Sequence, residues 1–295
     1  MMLTRVTVCS VERPSPSFAR FELGAAELAD FGVDGPLYDQ RIKLILPGAE
    51  GLPDLRPEHW WKDFSALPAE RRGAVRTYTI AEVRGSGGDT RIVIDVVLHP
   101  GAHGPGSTWA AGATVGDELM IVVPRRGVVS GGIEFDPGDA RRLLLLGDET
   151  ALPAIAQILR DSPADASGTV FVEVPLAADI AELTAPLGFE ITWLPRGDRP
   201  VGEPLVEAVG AHLGFARSAP APEADVDPDV WETPTYSSSG EAVGEARTTD
   251  DRYAWIAGEA RMVTTLRRHL VGELGMQRAH VAFMGYWREG VAMRT

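Results

Sequence analysis

Arg76-Thr77-Tyr78-Thr79 places a cation, an aromatic ring and three hydroxyls on four consecutive residues of strand-forming sequence. Alternation along a strand predicts Arg76 and Tyr78 on one face and Thr77 and Thr79 on the other. A flavin nucleotide needs those groups: an aromatic flank for its ring, hydroxyl or backbone bonds to its polar edge, and a cation for its pyrophosphate. Thr and Tyr are also good strand formers, so an ordinary edge strand accounts for the same residues. Downstream, Val97-Leu98-His99 ends a β-rich run, and Gly104-Pro105-Gly106-Ser107-Thr108-Trp109 opens a short helix-like piece. Gly104 and Gly106 allow close backbone approach, and N–H groups at a helix start receive phosphate oxygens, so this turn is a candidate pyrophosphate cradle with His99 at its edge. Gly-Pro-Gly is equally plain turn chemistry.

Three later segments could hold a nicotinamide dinucleotide. Leu143 to Leu146 reads as a buried strand, followed by the turn Gly147-Asp148-Glu149-Thr150 and a helix opening at Pro153. In an open α/β sheet the ligand crevice lies at such carboxyl ends, although the G-x-G-x-x-G fingerprint is absent. Arg196, after Trp193-Leu194-Pro195, is placed to meet a ribose or 2′-phosphate, or else is a solvated charge. Ala257, Gly258 and Glu259 end another strand, where the small residues leave room for a nicotinamide ring. Tyr286 and Trp287 end the last, where one or both could stack on a flavin or adenine or serve packing.

Two kinds of architecture must position these groups. Short β-rich runs (Val6 to Val8, Ile42 to Leu46, Thr77 to Ile80, Ile92 to Leu98, Leu119 to Val123) separated by Gly/Pro turns predict an antiparallel six-stranded barrel over residues 1–138. After Pro137, apolar runs alternate with helical patterns: Leu143 to Leu146, Val170 to Val174, Ile191 to Leu194, Ala254 to Ala257 and Val281 to Met284. These predict a parallel-sheet α/β domain over 139–295. Residues 216–251, rich in Pro, Ala and acids, read as a long acidic loop of linker character.

Composition narrows the classes further. With 28 Lys and Arg against 42 Asp and Glu, the net charge of −14 opposes nucleic-acid binding. The single cysteine, Cys9, excludes an intrachain disulfide and thiolate-rich metal or iron-sulfur sites, so redox chemistry requires an organic cofactor. The opening lacks the apolar core of a signal peptide and no run is long enough to span a bilayer, which predicts a cytoplasmic, non-membrane location.

In this order the segments resemble the siderophore-interacting protein family, FAD-binding ferric-siderophore reductases within the ferredoxin-NADP reductase superfamily. The resemblance rests most on Gly147 to Ile155 and on Gly285-Tyr286-Trp287-Arg288, with support from Val6 to Arg20, Asp39 to Leu44, Arg76 to Thr79 and Gly104 to Ala110. It implies a flavin-binding barrel, with Arg76, Tyr78, Thr79, His99 and Gly104 to Trp109 on the flavin motif. It also implies a nicotinamide-binding α/β domain using Gly147 to Thr150, Arg196 and Ala257 to Glu259. Ala81 and Arg41 depart from the pattern, where a basic residue and a histidine are expected. The implied activity passes electrons from NADPH or NADH through FAD to Fe(III) held by a siderophore, loosening the metal from hard oxygen ligands. Because a ferric tris-catecholate is a trianion, a local cationic patch is expected, with Lys43, Arg125, Arg126, Arg278 and Arg288 as candidates. Two other readings fit the sequence: electron exchange with a ferredoxin or flavodoxin, and siderophore binding without turnover.

Overall fold

The computed structural model describes residues 1–98, 104–215, 230–234, 236–237 and 252–291. They divide into two compact units, Met1–Ile133 and Glu134–Arg294. His99 lies outside the described residues.

The first unit is built from β1 (Met2–Ser15), β2 (Phe18–Gly24), β3 (Arg41–Leu46), β4 (Ala74–Thr79), β5 (Glu82–Arg84), β6 (Arg91–Val97) and β7 (Glu118–Val123). They form one antiparallel sheet in the order β4-β3-β7-β1-β2-β6-β5. The two edge strands, β4 and β5, are separated in the chain only by Ile80 and Ala81, and the Ala81 N–H donates to the Val93 carbonyl on β6. The sheet therefore curls far enough for the chain to pass directly from one edge strand to the other. β5 is a three-residue addition to six longer strands, too short to be seen as a run in the sequence. Alternate residues (Val6 and Val8, Phe21 and Leu23, Ile92 and Ile94, Leu119 and Ile121) fill the interior, as the two-residue period of a strand dictates. Strand β7 and the Leu44–Leu46 end of β3 are buried on both faces. Their opposite side carries Ile45, Met120 and Val122 beneath Phe64 of helix α1 (Trp60–Ala66), which the short α2 (Ala69–Arg72) follows. Helix α3 (Pro105–Gly112) lies against the main core through Ala110 and Trp109.

The second unit contains β8 (Arg142–Gly147), α4 (Leu152–Asp161), β9 (Ser167–Val174), β10 (Gly188–Pro195), α5 (Glu203–Leu213), β11 (Trp231–Thr233), β12 (Tyr236–Ser237), β13 (Arg252–Glu259), α6 (Ala260–Arg267) and β14 (Val281–Trp287). Sheet order is β10-β9-β8-β13-β14-β11-β12, and the first five strands pair in parallel. Successive strands step outward from β8 on one side and from β13 on the other, so the reversal between them is the switch point of a doubly wound sheet. Phe135 packs edge-on against Tyr253 at 5.5 Å, and the Asp136 N–H donates to the Tyr253 hydroxyl. These contacts bind residues 134–136 to this unit, a few residues ahead of the boundary read from the sequence.

Residues 216–251 are not linker throughout. β11 pairs antiparallel with β14, extending the sheet, and β12 pairs with β11; residues 216–229, 235 and 238–251 lie outside the described residues. Glu232 on β11 is buried and accepts from Arg267 Nε at 2.7 Å, with Arg278 Nη2 at 2.9 Å from the same oxygen. Arg278 is thus engaged in holding an added strand, a demand that its sequence context does not reveal.

Candidate functional site

Strand β4 pairs with β3 in the register Tyr78 to Ile42, Arg76 to Leu44, Thr77 to Lys43 and Thr79 to Arg41. Tyr78 and Arg76 accordingly share the face of the core residues Ile42 and Leu44, and the two threonines share the other, as alternation requires. Tyr78 packs against the barrel core, and burial pushes its phenol up to about 12 against a smaller opposing pull from Arg76. Its hydroxyl therefore keeps its proton at neutral pH and can donate. Arg76 donates from Nη1 to the Val75 carbonyl at 2.7 Å, and burial lowers its guanidinium from the ordinary value.

Gly106 connects this strand to α3. A Cβ at Gly106 would overlap the Tyr78 hydroxyl, and the next closest atoms include Arg76 Cγ at 3.8 Å, so the helix start passes directly over both side chains. No side chain caps this end, which begins at Gly104 and Pro105, and the first intrahelical bond runs from the Thr108 N–H to the Gly104 carbonyl at 2.9 Å. The Gly106 and Ser107 N–H groups precede that bond, where an α-helix has no carbonyl to offer them. An uncapped helix start beside a guanidinium favours a phosphate-bearing ligand. These residues fit a flavin nucleotide by that criterion. Trp109 lies 4.7 Å from Phe21, facing the core.

Lys43 donates to Thr77 Oγ1 at 2.7 Å and is lowered by burial and then by the neighbouring Arg41 charge. Arg125 pairs with Asp30 at 3.2 Å, and Arg126 donates to the Phe31 carbonyl at 3.2 Å. Arg278 and Arg288 belong to the second unit, Arg288 forming a short bridge with Val291.

At the carboxyl edge of the parallel sheet, Asp148 joins three strand ends. One carboxylate oxygen accepts from the Thr150 N–H and hydroxyl at 2.9 and 2.6 Å; the other accepts from the Glu259 N–H at 2.7 Å and Trp287 Nε1 at 2.8 Å. Gly258, at φ +143°, is required there because a Cβ would lie 2.6 Å from the Asp148 oxygen. Glu259 caps α6, accepting from the N–H groups of Arg261 and Met262 at 2.7 and 3.0 Å. Tyr286 stacks on Trp231 of β11 at 5.9 Å and meets Trp255 edge-on at 6.3 Å. The adjacent aromatics thus divide their duties, Trp287 anchoring to Asp148 and Tyr286 joining an aromatic group.

Burial, followed by the charge of Glu149, pushes Asp148 up to about 6, with the Thr150 and Trp287 donors opposing. Since its folded value lies above its ordinary 3.8, Asp148 contributes stability that is complete below that value and is lost as pH rises through about 6. Urea unfolding between pH ~4 and ~7 should show that slope, and Asp148→Asn should flatten it. An unchanged slope would show that the carboxyl does not titrate in this window.

Arg196 is held differently from the expectation. Its guanidinium reaches both oxygens of Glu149 at 3.1 and 3.0 Å and Glu173 at 2.8 Å, with 9% of the side chain exposed. Glu173 in turn accepts from the Gly202 and Leu205 N–H groups at 2.8 and 3.1 Å, and burial is the main cause of its raised pKa. Sequence reading missed Glu173, although an acid inside the apolar run Val170 to Val174 was a signal that it needed a buried partner.

A curled antiparallel sheet bearing an uncapped helix start, followed by a doubly wound parallel sheet, is the layout of the ferredoxin-reductase-like folds. Residues 7–128 match the siderophore-interacting FAD-binding domain and residues 140–290 match the siderophore-interacting protein model. The chain belongs to the siderophore-interacting protein family, with FAD as its cofactor. A siderophore utilization protein from T. fusca has the same fold, with a TM-score of 0.69 and 29% identity over 99% of this chain and 95% of that one. The ferric vibriobactin reductase ViuB of Vibrio cholerae is 26% identical over 84% of this chain and 72% of its own. An NADPH-dependent ferric-chelate reductase of Escherichia coli is 28% identical over 96% of this chain and 91% of its own. No helix among the described residues is long and apolar enough to cross a membrane.

Proposed function

We propose that this oxidoreductase reduces ferric siderophores to release Fe(II), drawing electrons from a reduced nicotinamide dinucleotide by way of FAD. The observation that carries the reading is the close passage of α3 over Tyr78 and Arg76 at Gly106, which leaves uncapped N–H groups beside a cation in a barrel of the FAD-binding family. Bound FAD supplies the conversion between a two-electron hydride donor and the single electrons that Fe(III) accepts.

The chain's own residues bind and orient. Arg76 and the N–H groups of Gly106 and Ser107 receive the flavin's pyrophosphate, Tyr78 flanks the ring and donates from a neutral hydroxyl, and Thr77 and Thr79 face its polar edge. In the second unit, Gly147 to Thr150, Ala257 to Glu259 and Tyr286 line the dinucleotide crevice, with Asp148 fixing their positions. Lys43 and Arg41, two residues apart on β3, supply cations for an anionic chelate. Relatives named as a ferric vibriobactin reductase and an NADPH-dependent ferric-chelate reductase support the acceptor.

Purified protein loaded with FAD should bleach under argon on addition of NADH or NADPH, then recover its colour on addition of a ferric siderophore while ferrozine traps Fe(II). Bleaching only by a reduced ferredoxin would replace the donor. A protein that binds siderophore but shows neither bleaching nor trapped Fe(II) would be a carrier, and the proposal would fail.

A further inference from the structure

We propose that the adenosine end of the dinucleotide crevice is built to refuse a 2′-phosphate, so that this chain takes NADH in preference to NADPH. The inference rests on the reading of the second unit as a nicotinamide dinucleotide site. In a doubly wound sheet the ribose next to adenine falls at the end of the second strand and its outer neighbour, where a carboxylate suits a 2′-hydroxyl and a cation suits a 2′-phosphate. Here those strands are β9 and β10.

Three devices at that edge could receive a phosphate, and each already holds a carboxylate. From Val174 to Leu213 the only Lys or Arg residues are Arg196 and Arg199. Arg196 is shared between Glu149 and Glu173 and is nearly inaccessible. Arg199 lies on the surface between Glu207 at 2.5 Å and Glu203 at 3.5 Å. The third device is the start of α5, whose N–H groups would ordinarily attract an anion. Glu173 fills it from within, accepting from Gly202 and Leu205.

A phosphate dianion arriving here would have to displace a carboxylate or sit beside Glu149, Glu173, Glu203 and Glu207 with no uncommitted guanidinium among these residues. A 2′-hydroxyl is neutral and donates, so the partly exposed carboxylates of Glu203 and Glu207 suit it. Removing Arg196 from its carboxylates to serve a phosphate would leave two buried acids without their cation, which makes such an exchange unfavourable.

The test titrates FAD-loaded protein with NAD⁺ and with NADP⁺ by calorimetry, alongside kcat/KM for NADH and NADPH. NAD⁺ should bind at least about tenfold more tightly, by ~1.4 kcal/mol, with the gap narrowing as salt is raised. The double substitution Glu203→Lys with Glu207→Lys lies on a partly exposed helix face and releases Arg199. It should move the NADP⁺ to NAD⁺ affinity ratio toward NADP⁺ by about tenfold. Glu149→Gln, which leaves Arg196 its Glu173 partner, should shift the ratio the same way. Equal or tighter NADP⁺ binding by the unmodified protein, or a ratio unmoved by both variants, overturns the inference while leaving reduction of ferric siderophores intact. Binding of neither dinucleotide overturns both this inference and the assignment of a nicotinamide donor.

Discussion

Arg196→Ala is expected to destabilise the second unit by about 3–5 kcal/mol, the scale for removing one partner of a buried ion pair. The guanidinium is the cation held between the buried carboxylates Glu149 and Glu173. Without it both remain buried, and the Gly202 and Leu205 N–H groups alone compensate Glu173. The deficit should depend on pH in a known direction. Glu173 is already raised above its ordinary 4.5 by burial, and loss of the cation raises it further. Stability tied to its protonated form is present below that ordinary value and is lost as pH rises through the folded one, so the variant should be closest to the parent in acid. Chemical unfolding of both proteins across this range decides the matter. Normal stability combined with weakened dinucleotide binding would instead make Arg196 a ligand contact.

Gly106→Ala should strip the protein of flavin. The added methyl must occupy the place of the Tyr78 hydroxyl, and the tyrosine is packed against the barrel core. Overpacking of this kind costs about 1–3 kcal/mol. Taken from flavin binding, that is a roughly 5- to 150-fold weaker Kd, read from the flavin retained on purification and from fluorescence titration of the apoprotein. Tyr78→Phe in the same chain removes the obstructing oxygen and should restore part of the affinity, the coupling expected of two groups in contact. Wild-type flavin retention by Gly106→Ala would mean that α3 does not form one wall of the cofactor site.

The fold was legible where local pattern and tertiary role coincide. Each of the five parallel strands contains an apolar run long enough to be recognised alone, and the alternation of Arg76 to Thr79 gave the correct faces because β4 is regular throughout. What was not legible depends on distant partners. Glu149 and Glu173 lie 47 and 23 residues from Arg196, and no local signal tells a guanidinium aimed at a ligand from one enclosed by carboxylates. β11 escaped notice for the same reason: three residues in a Pro- and acid-rich stretch have little strand preference, and it is secured by Arg267, Arg278 and the Tyr286 ring. In Trp287 the aromatic ring suggested stacking, whereas its indole N–H has the structural assignment.

The four donors converging on the Asp148 carboxylate bear on how a ligand would be received. The turns leaving β8, β13 and β14 are tied to a single point, so they are ordered before any guest arrives and should move as one body. Association then loses little conformational entropy from the host, and differences in affinity among dinucleotide analogues report their contacts rather than the work of assembling a receptacle.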